Sequence, residues 1–474
     1  MPTQRSPFGF ASTLIMLLCF ALFILSAGAW WFLDGIWAWS AGLFYLGYDL
    51  WLMCFVVFQT RYLATQAQIF PASKQPAQTI AVNTPTVSVL IPARNEQLIL
   101  PKCLDALFAQ RDVTAKIYII DDGSTDQSAT LLEQKYGLET TQGLIQSKTH
   151  QNLYVLRHAS QGKAKALNRA LPYIETDLVV TLDADTVIAP NALHAFLQDF
   201  QKHPNLVASG GVLKPTCRPH RLSRLLSAFF KFFQQFEYIF SFLSRASWYK
   251  VNALLLVSGA FAIYRTEVLK QVGGFDPDSM VEDYELNHRI YRYASEHDLD
   301  WTVGITGQAY GVTDAPNGFQ AFFHQRKRWF GGFLQTQFHY LDMMANQKYG
   351  IVGRLMLPLK MLDAIQPFLG LSAFIILATL LVQADFTQPN PTLHTILLFI
   401  LGKMILDFFY HCWGMLIYCR WTGLKWTWHD LPKILFATLL APFSFQIIKL
   451  IAAVLGWKVF LSNQRDWRAQ RDMH

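Results

Sequence analysis

Leu178-Val179-Val180-Thr181-Leu182-Asp183-Ala184-Asp185-Thr186 decides the fold of this chain. An apolar, β-branched run breaks off at two carboxylates one residue apart. The run has the make-up of a strand buried on both faces, as in a parallel sheet. Ligands of open α/β sheets gather at the carboxyl ends of such strands. Side chains at i and i+2 leave a strand on the same side, so Asp183 and Asp185 can serve one site. Two hard oxygen donors suit a divalent cation that also holds a diphosphate. An isolated Asp-x-Asp is more often a solvated acidic turn, so its company along the chain has to decide.

Working outward, apolar runs and helical periodicities alternate. Strands are expected at Val87–Pro92, Ile117–Ile120 and Leu153–Leu156. Helices are expected at Asn95–Gln110, up to about Tyr136, at Lys163–Ile174 and from Asn191. This alternation predicts a mostly parallel α/β sheet. Polar clusters close the strands: Pro92-Ala93-Arg94-Asn95-Glu96, then Asp121-Asp122-Gly123-Ser124, while Gly162-Lys163 opens the helix after the third. In a parallel sheet these junctions share one edge with Asp183 and Asp185. Such an edge can hold a nucleotide, with carboxylates on base or ribose, a lysine near phosphate and a metal on the diphosphate.

The chain is too apolar to be only a soluble domain: 52% of its 474 residues are hydrophobic and 15% charged. Spans are expected at about 11–33 and 36–59, with Trp30, Trp31, Trp37 and Trp39 as an aromatic belt at the turn between them. Further spans are expected at 367–382, 393–418 and 431–457, the last interrupted by Pro442, with an interfacial stretch at 355–366. Asp49, Lys403 and Asp407 fall within apolar spans and either line a polar path or pair with one another. The phenylalanine-rich stretch 222–242 carries interleaved Arg and Lys, as an amphipathic helix in the membrane interface would; a core helix is the alternative. The domain plan is therefore a hairpin over 1–60, a Pro-containing linker over 61–86, a cytosolic domain over 87–350 and a membrane region with a basic tail over 351–474. The net charge of +7 fits cytoplasmic-face Lys and Arg, and no nucleic-acid-binding motif accompanies it. Six scattered cysteines form no C-x-x-C pair, so they read as reduced structural residues.

Seven signatures stand in order: Pro-x-x-Asn-Glu at Pro92–Glu96, Asp-Asp-Gly-Ser-x-Asp at Asp121–Asp126, Gly-Lys-x-x-Ala-Leu-Asn at Gly162–Asn168, Asp-x-Asp, Ser-Gly-Ala at Ser258–Ala260, Glu282-Asp283, and Gln-x-x-Arg-Trp at Gln325–Trp329. Through them residues 87–329 resemble the membrane-embedded family-2 glycosyltransferases, which include the synthases of poly-N-acetylglucosamine, hyaluronan and cellulose. The resemblance implies an α/β GT-A-type (Rossmann-like) nucleotide-sugar domain inserted between α-helical transmembrane segments.

It also implies roles. Glu96 and Asp122 would contact the uridine, and Lys163 would approach the nucleotide. Asp183 and Asp185 would hold Mg2+ or Mn2+ and the UDP diphosphate. Asp283 would be the general base; Gln325, Arg328 and Trp329 would lie on the acceptor and pyrophosphate side. The implied partners are a UDP-sugar, a glycan or lipid acceptor, membrane lipids and a small accessory membrane subunit. The expected activity is inverting transfer, with N-acetylglucosamine as the favoured sugar and an extracellular β-linked polysaccharide as product. The alternative is single-sugar transfer to a lipid, as ceramide glucosyltransferases do. The expected location is a bacterial inner membrane, with the catalytic domain cytoplasmic. Val281 stands where the family often has Thr, and no gating-loop motif of the cellulose synthases is evident. Alone, Arg328-Trp329 would read as an interfacial anchor.

Overall fold

The computed structural model describes residues 9–66, 85–139, 143–218, 223–385 and 387–462. Most of the linker and the tail arginines Arg465, Arg468 and Arg471 lie outside the described residues. The described residues fall into two compact units: 65–318 with 421–423, and 9–64 with 319–420 and 424–462.

The first unit is built on a nine-stranded sheet. Its strands are β1 (Val87–Ala93), β2 (Ala115–Asp122), β3 (Gly143–Gln146), β4 (Leu153–His158), β5 (Leu178–Leu182), β6 (Val187–Ile188), β7 (Leu206–Thr216), β8 (Phe261–Arg265) and β9 (Thr302–Asp314). The order across the sheet is β3-β4-β2-β1-β5-β8-β7-β9-β6. The strands expected from sequence, β1, β2, β4 and β5, are mutually parallel, so their carboxyl ends share one edge. β1 is buried along its whole length, with Val89, Leu90 and Ile91 fully enclosed. Each such side chain contributes roughly 1.5–3 kcal/mol, which makes this edge a firm support.

The other half of the sheet is mixed. β8 runs antiparallel to both β5 and β7, while β7 and β9 are parallel. Phe261 at the start of β8 lies opposite Leu182 at the end of β5, which brings the Ser258–Ala260 turn to the edge where Asp183 stands. Glycines in β7 and β9 hide this half from a propensity reading. Gly211 is required by packing: a Cβ there would sit 2.1 Å from the Phe261 ring.

The helix after β1 spans only Leu100–Phe108, later than the expected start at Asn95. Asn95 is left-handed, at φ 58°, a conformation Asn tolerates well. Its amide donates to Ser124 Oγ at 3.0 Å, and its side-chain oxygen accepts from the Thr125 N–H at 2.8 Å. The residues before the helix are thus tied to the β2 loop. The phenylalanine-rich helix, Arg224–Lys250, packs along β7 and β9 and buries Phe230, Phe233, Phe242 and Trp248. Its inner face belongs to the domain core, the alternative to the interfacial position expected for it.

In the second unit, Phe10–Phe32, Gly35–Thr60, Val352–Gln383 and Pro391–Thr422 are long and apolar enough to cross a membrane. Trp428–Leu440 and Phe445–Leu461 form a fifth candidate, bent by 52° next to Pro442, which has no N–H to continue a helix. Pro367, in contrast, lies inside an unbroken helix, Leu357–Gln383, so no interfacial piece separates from the span there. Trp39 is buried rather than part of a belt: its indole N–H donates to the Ala373 carbonyl at 3.0 Å, whereas Trp31 and Trp37 are exposed. The three charges within these apolar helices meet one another. Lys403 Nζ lies 2.5 Å from Asp49 Oδ2 and also bonds Asp407. Lys403→Met strands both carboxylates and is expected to lower the melting temperature in detergent more than Asp49→Asn, which leaves the Lys403–Asp407 pair intact.

Candidate active site

The first unit gathers the polar signatures at the carboxyl edge of β1, β2, β4 and β5. Asp122 ends β2, buried, and accepts from three donors of the next loop: the N–H groups of Gln161 (2.8 Å) and Gly162 (3.0 Å) and the Ser160 hydroxyl (3.2 Å). Gly123 permits that approach, because a Cβ on it would lie 2.8 Å from Ser160 N. Gly162, at φ 95°, then turns the chain into the helix Lys163–Ala170. Asp122 is expected to face uridine; what it holds in this structure is the loop that aims Lys163. Glu96, half-buried, caps the turn into the helix after β1 with its carbonyl, which accepts from the Leu100 N–H.

Lys163 reaches two carboxylates, Asp183 at 2.6 Å and Glu282 at 3.3 Å. Burial by itself would lower its pKa, but Asp183 and Glu282 outweigh that and push it up. Asp183 and Asp185 follow the end of β5 in a turn, closed by the Thr186 N–H on the Asp183 carbonyl. Asp185 takes the Thr313 hydroxyl at 3.3 Å. Burial, with help from Asp183, Glu96 and Asp314, pushes its pKa up to about 7.

Glu282 and Asp283 open the helix Glu282–Glu296. Asp283 accepts from the Gly259 N–H at 2.7 Å and from the Tyr284 N–H at 2.8 Å. Burial and Glu282 raise its pKa against those N–H bonds and Lys163, so the helix N-terminus does not dominate here. Gly259 also gives Asp283 room, since a Cβ on it would lie 3.1 Å from the Asp283 Cβ. The next residue turns the other way: the Ala260 carbonyl accepts from the Asp183 N–H at 3.0 Å. The Ser-Gly-Ala turn thus bonds the Asp283 carboxylate on one side and the main chain of Asp183 on the other.

Asn168 pins the approach to Asp283. Its side chain donates to the Phe275 carbonyl at 2.6 Å and accepts from the Phe275 N–H at 2.8 Å. Gly274, at φ 72°, fits against it. Asn168→Leu leaves both backbone groups unpaired and is expected to cost about 1–3 kcal/mol in denaturant unfolding of the detergent-solubilised protein.

Sequence reasoning named Glu282 only as part of a signature. The signal for its role was a second carboxylate beside Asp283 at a helix start. Gln325, Arg328 and Trp329 lie on the helix Phe319–His339 in the other unit. There Arg326, which sequence reasoning passed over, is buried, with Phe322 and Trp329 rings 4.9 and 4.5 Å away.

The residues fit a divalent cation. Burial and the neighbouring carboxylates Asp183, Glu96 and Asp314 all raise the Asp185 pKa, and a divalent cation would offset that crowding of negative charge. Among the described residues no group of three or more His, Cys, Asp or Glu side chains forms a closed cage. An ion here would complete its shell with substrate phosphate and water, the habit of Mg2+.

The sequence model "Glycosyl transferase family 2" matches residues 88–273. A poly-beta-1,6-N-acetyl-D-glucosamine synthase of Staphylococcus epidermidis is 27% identical over 248 residues, 52% of this chain and 54% of that protein. A beta-monoglucosyldiacylglycerol synthase of Nostoc sp. is 25% identical over 292 residues, 60% of this chain and 56% of that protein. The chain thus spans about half the length of the curated relatives it matches. A mannosyltransferase of Pyrobaculum calidifontis, solved with GDP-Man and Mn2+, aligns with 90% of this chain and 99% of its own at 18% identity and a TM-score of 0.49.

Proposed function

We infer, for a chain whose residues 88–273 belong to glycosyltransferase family 2, that it moves a sugar from a UDP-sugar to an acceptor hydroxyl with inversion. The observation that carries this is the Ser258–Ala260 turn, whose backbone links the carboxylate of the candidate base, Asp283, to the main chain of Asp183, the candidate diphosphate-side residue. In the reaction Asp283 takes the proton of the acceptor hydroxyl. The oxygen so released bonds the anomeric carbon from one face as the bond to the diphosphate breaks on the other. Asp183 and Asp185 would hold Mg2+ or Mn2+, which would offset charge on the departing UDP. Glu96 and Asp122 are assigned to the uridine side, Lys163 to the phosphates. Gln325, Arg328 and Trp329 are assigned to the acceptor and pyrophosphate side, where a guanidinium and an indole face suit a diphosphate and a sugar ring.

The favoured product is a β-linked extracellular polysaccharide built from N-acetylglucosamine, supported by similarity to the staphylococcal synthase. Similarity to the diacylglycerol glucosyl-transferring relative supports a second reading, one sugar on a lipid. The apolar helices support a multi-pass membrane location with the sheet domain in the cytoplasm, where nucleotide sugars are made. Offering the detergent-purified protein a panel of UDP-sugars, and sizing products by mass spectrometry, tests all of this. Long chains support the first reading, single glycolipids the second, and no UDP release with any donor sinks both.

A base must be unprotonated to act, and Asp283 holds its proton more tightly than an ordinary Asp. Activity is therefore expected to fall on the acid side at a higher pH than a model Asp would give. The kcat/KM pH profile checks this; a limb at the ordinary Asp value near 4 would remove Asp283 from the role.

A further inference from the structure

We propose that Lys163 is a resident counter-ion of the donor site, exchanged for the divalent cation when a nucleoside diphosphate arrives, and that Glu282 is the positioning residue that keeps it there. This rests on the reading of Asp183 and Asp185 as the cation side of that site.

The geometry is specific. The Lys163 ammonium lies between Asp183 (2.6 Å) and Glu282 (3.3 Å), and its side chain is only 11% exposed. Its backbone cannot retreat, because Asp122 holds the Gln161 and Gly162 N–H groups at the head of its helix. Glu282 is buried, and its helix is anchored through Asp283 to Gly259. A lysine so placed offsets part of the negative charge where Asp183, Glu282 and Asp283 crowd together.

The same lysine opposes a metal ion. A divalent cation on Asp183 and an ammonium on the same carboxylate repel strongly in a half-buried place. The conflict is relieved when a diphosphate enters, since its oxygens give the ammonium a new partner while the cation takes Asp183. Glu282 holds the lysine within reach throughout, so the ammonium swings between carboxylate and phosphate instead of leaving for solvent. Metal and nucleotide then assist one another's binding, and by linkage the help is equal in both directions. A free enzyme built this way does not collect divalent cations unless the donor comes with them.

Mn2+ binding followed by loss of the free-ion electron paramagnetic resonance signal, with and without UDP, tests this on the full chain in detergent. Wild type is expected to bind Mn2+ weakly alone and at least about tenfold more tightly with UDP. Lys163→Gln should bind Mn2+ alone about tenfold more tightly than wild type, with most of the UDP enhancement gone. Lys163→Arg should restore the wild-type pattern, which a merely structural lysine would not require. Glu282→Gln leaves the ammonium to Asp183 alone and should weaken Mn2+ binding without UDP by a few-fold. Melting curves accompany each variant. If folded Lys163→Gln binds Mn2+ alone no more tightly than wild type, the counter-ion idea is overturned. Should that variant fail to fold, unchanged Mn2+ binding in Glu282→Gln overturns it instead. Wild type that binds no Mn2+ even with UDP overturns the donor-site reading itself, and this inference with it.

Discussion

Asp283→Asn keeps UDP binding in the presence of Mn2+ and loses turnover by a factor of about 10² to 10⁴, the range expected for removal of a general base. The amide can still accept one N–H bond through its oxygen, so either the Gly259 or the Tyr284 contact survives and the helix start persists. What disappears is the capacity to take a proton. Were Asp283 only a helix cap, the variant would lose some stability and keep most of its rate. Calorimetric UDP titration beside a UDP-release assay separates the two cases, and near-wild-type turnover would falsify the assignment.

Asp183→Asn is the second large effect, of a different kind. It removes one carboxylate from the cation side and leaves Lys163 with Glu282. Divalent-dependent UDP binding is expected to fall by about a hundredfold or more, in line with losing a charged, half-buried partner. Turnover falls with it, since less donor is held. The Ala260–Asp183 bond uses the backbone N–H, so the turn itself is expected to remain. Titration of UDP with and without Mn2+ reads the difference. If Mn2+ still strengthens UDP binding as it does in wild type, Asp183 is not on the cation side.

How much of this was legible in the sequence depends on the kind of signal. β1, β2, β4 and β5 were readable because each is a short apolar run ended by polar residues, and their parallel pairing follows from the helices between them. β7, β8 and β9 were not readable. Gly210 and Gly211 look like breakers, yet Gly211 is small because Phe261 packs against it. Cross-sheet packing of that kind leaves no local pattern. Asp183, Asp185, Lys163 and Asp283 were found through their motifs, but motifs carry no distances. That Lys163 meets Glu282, or that Asn168 grips Phe275, is a consequence of folding segments more than a hundred residues apart in the chain against each other. The helix Arg224–Lys250 packs one face on the sheet, a contact its aromatic content does not reveal, because such content fits a membrane surface and a protein core equally well.

The Ser258–Ala260 turn has a mechanical consequence. Gly259 and Ala260 grip Asp283 and Asp183 through main-chain atoms, on opposite sides of one short strut. Any shift of the turn carries the Asp283 carboxylate and the Asp183 backbone together. Breathing of the sheet is therefore expected to change their mutual spacing little, which on the proposed roles would keep attacking and leaving groups in register. Because the strut is peptide, side-chain exchange at Ser258 or Ala260 can retune the neighbourhood without cutting it, whereas proline at position 259 removes one of its two attachments.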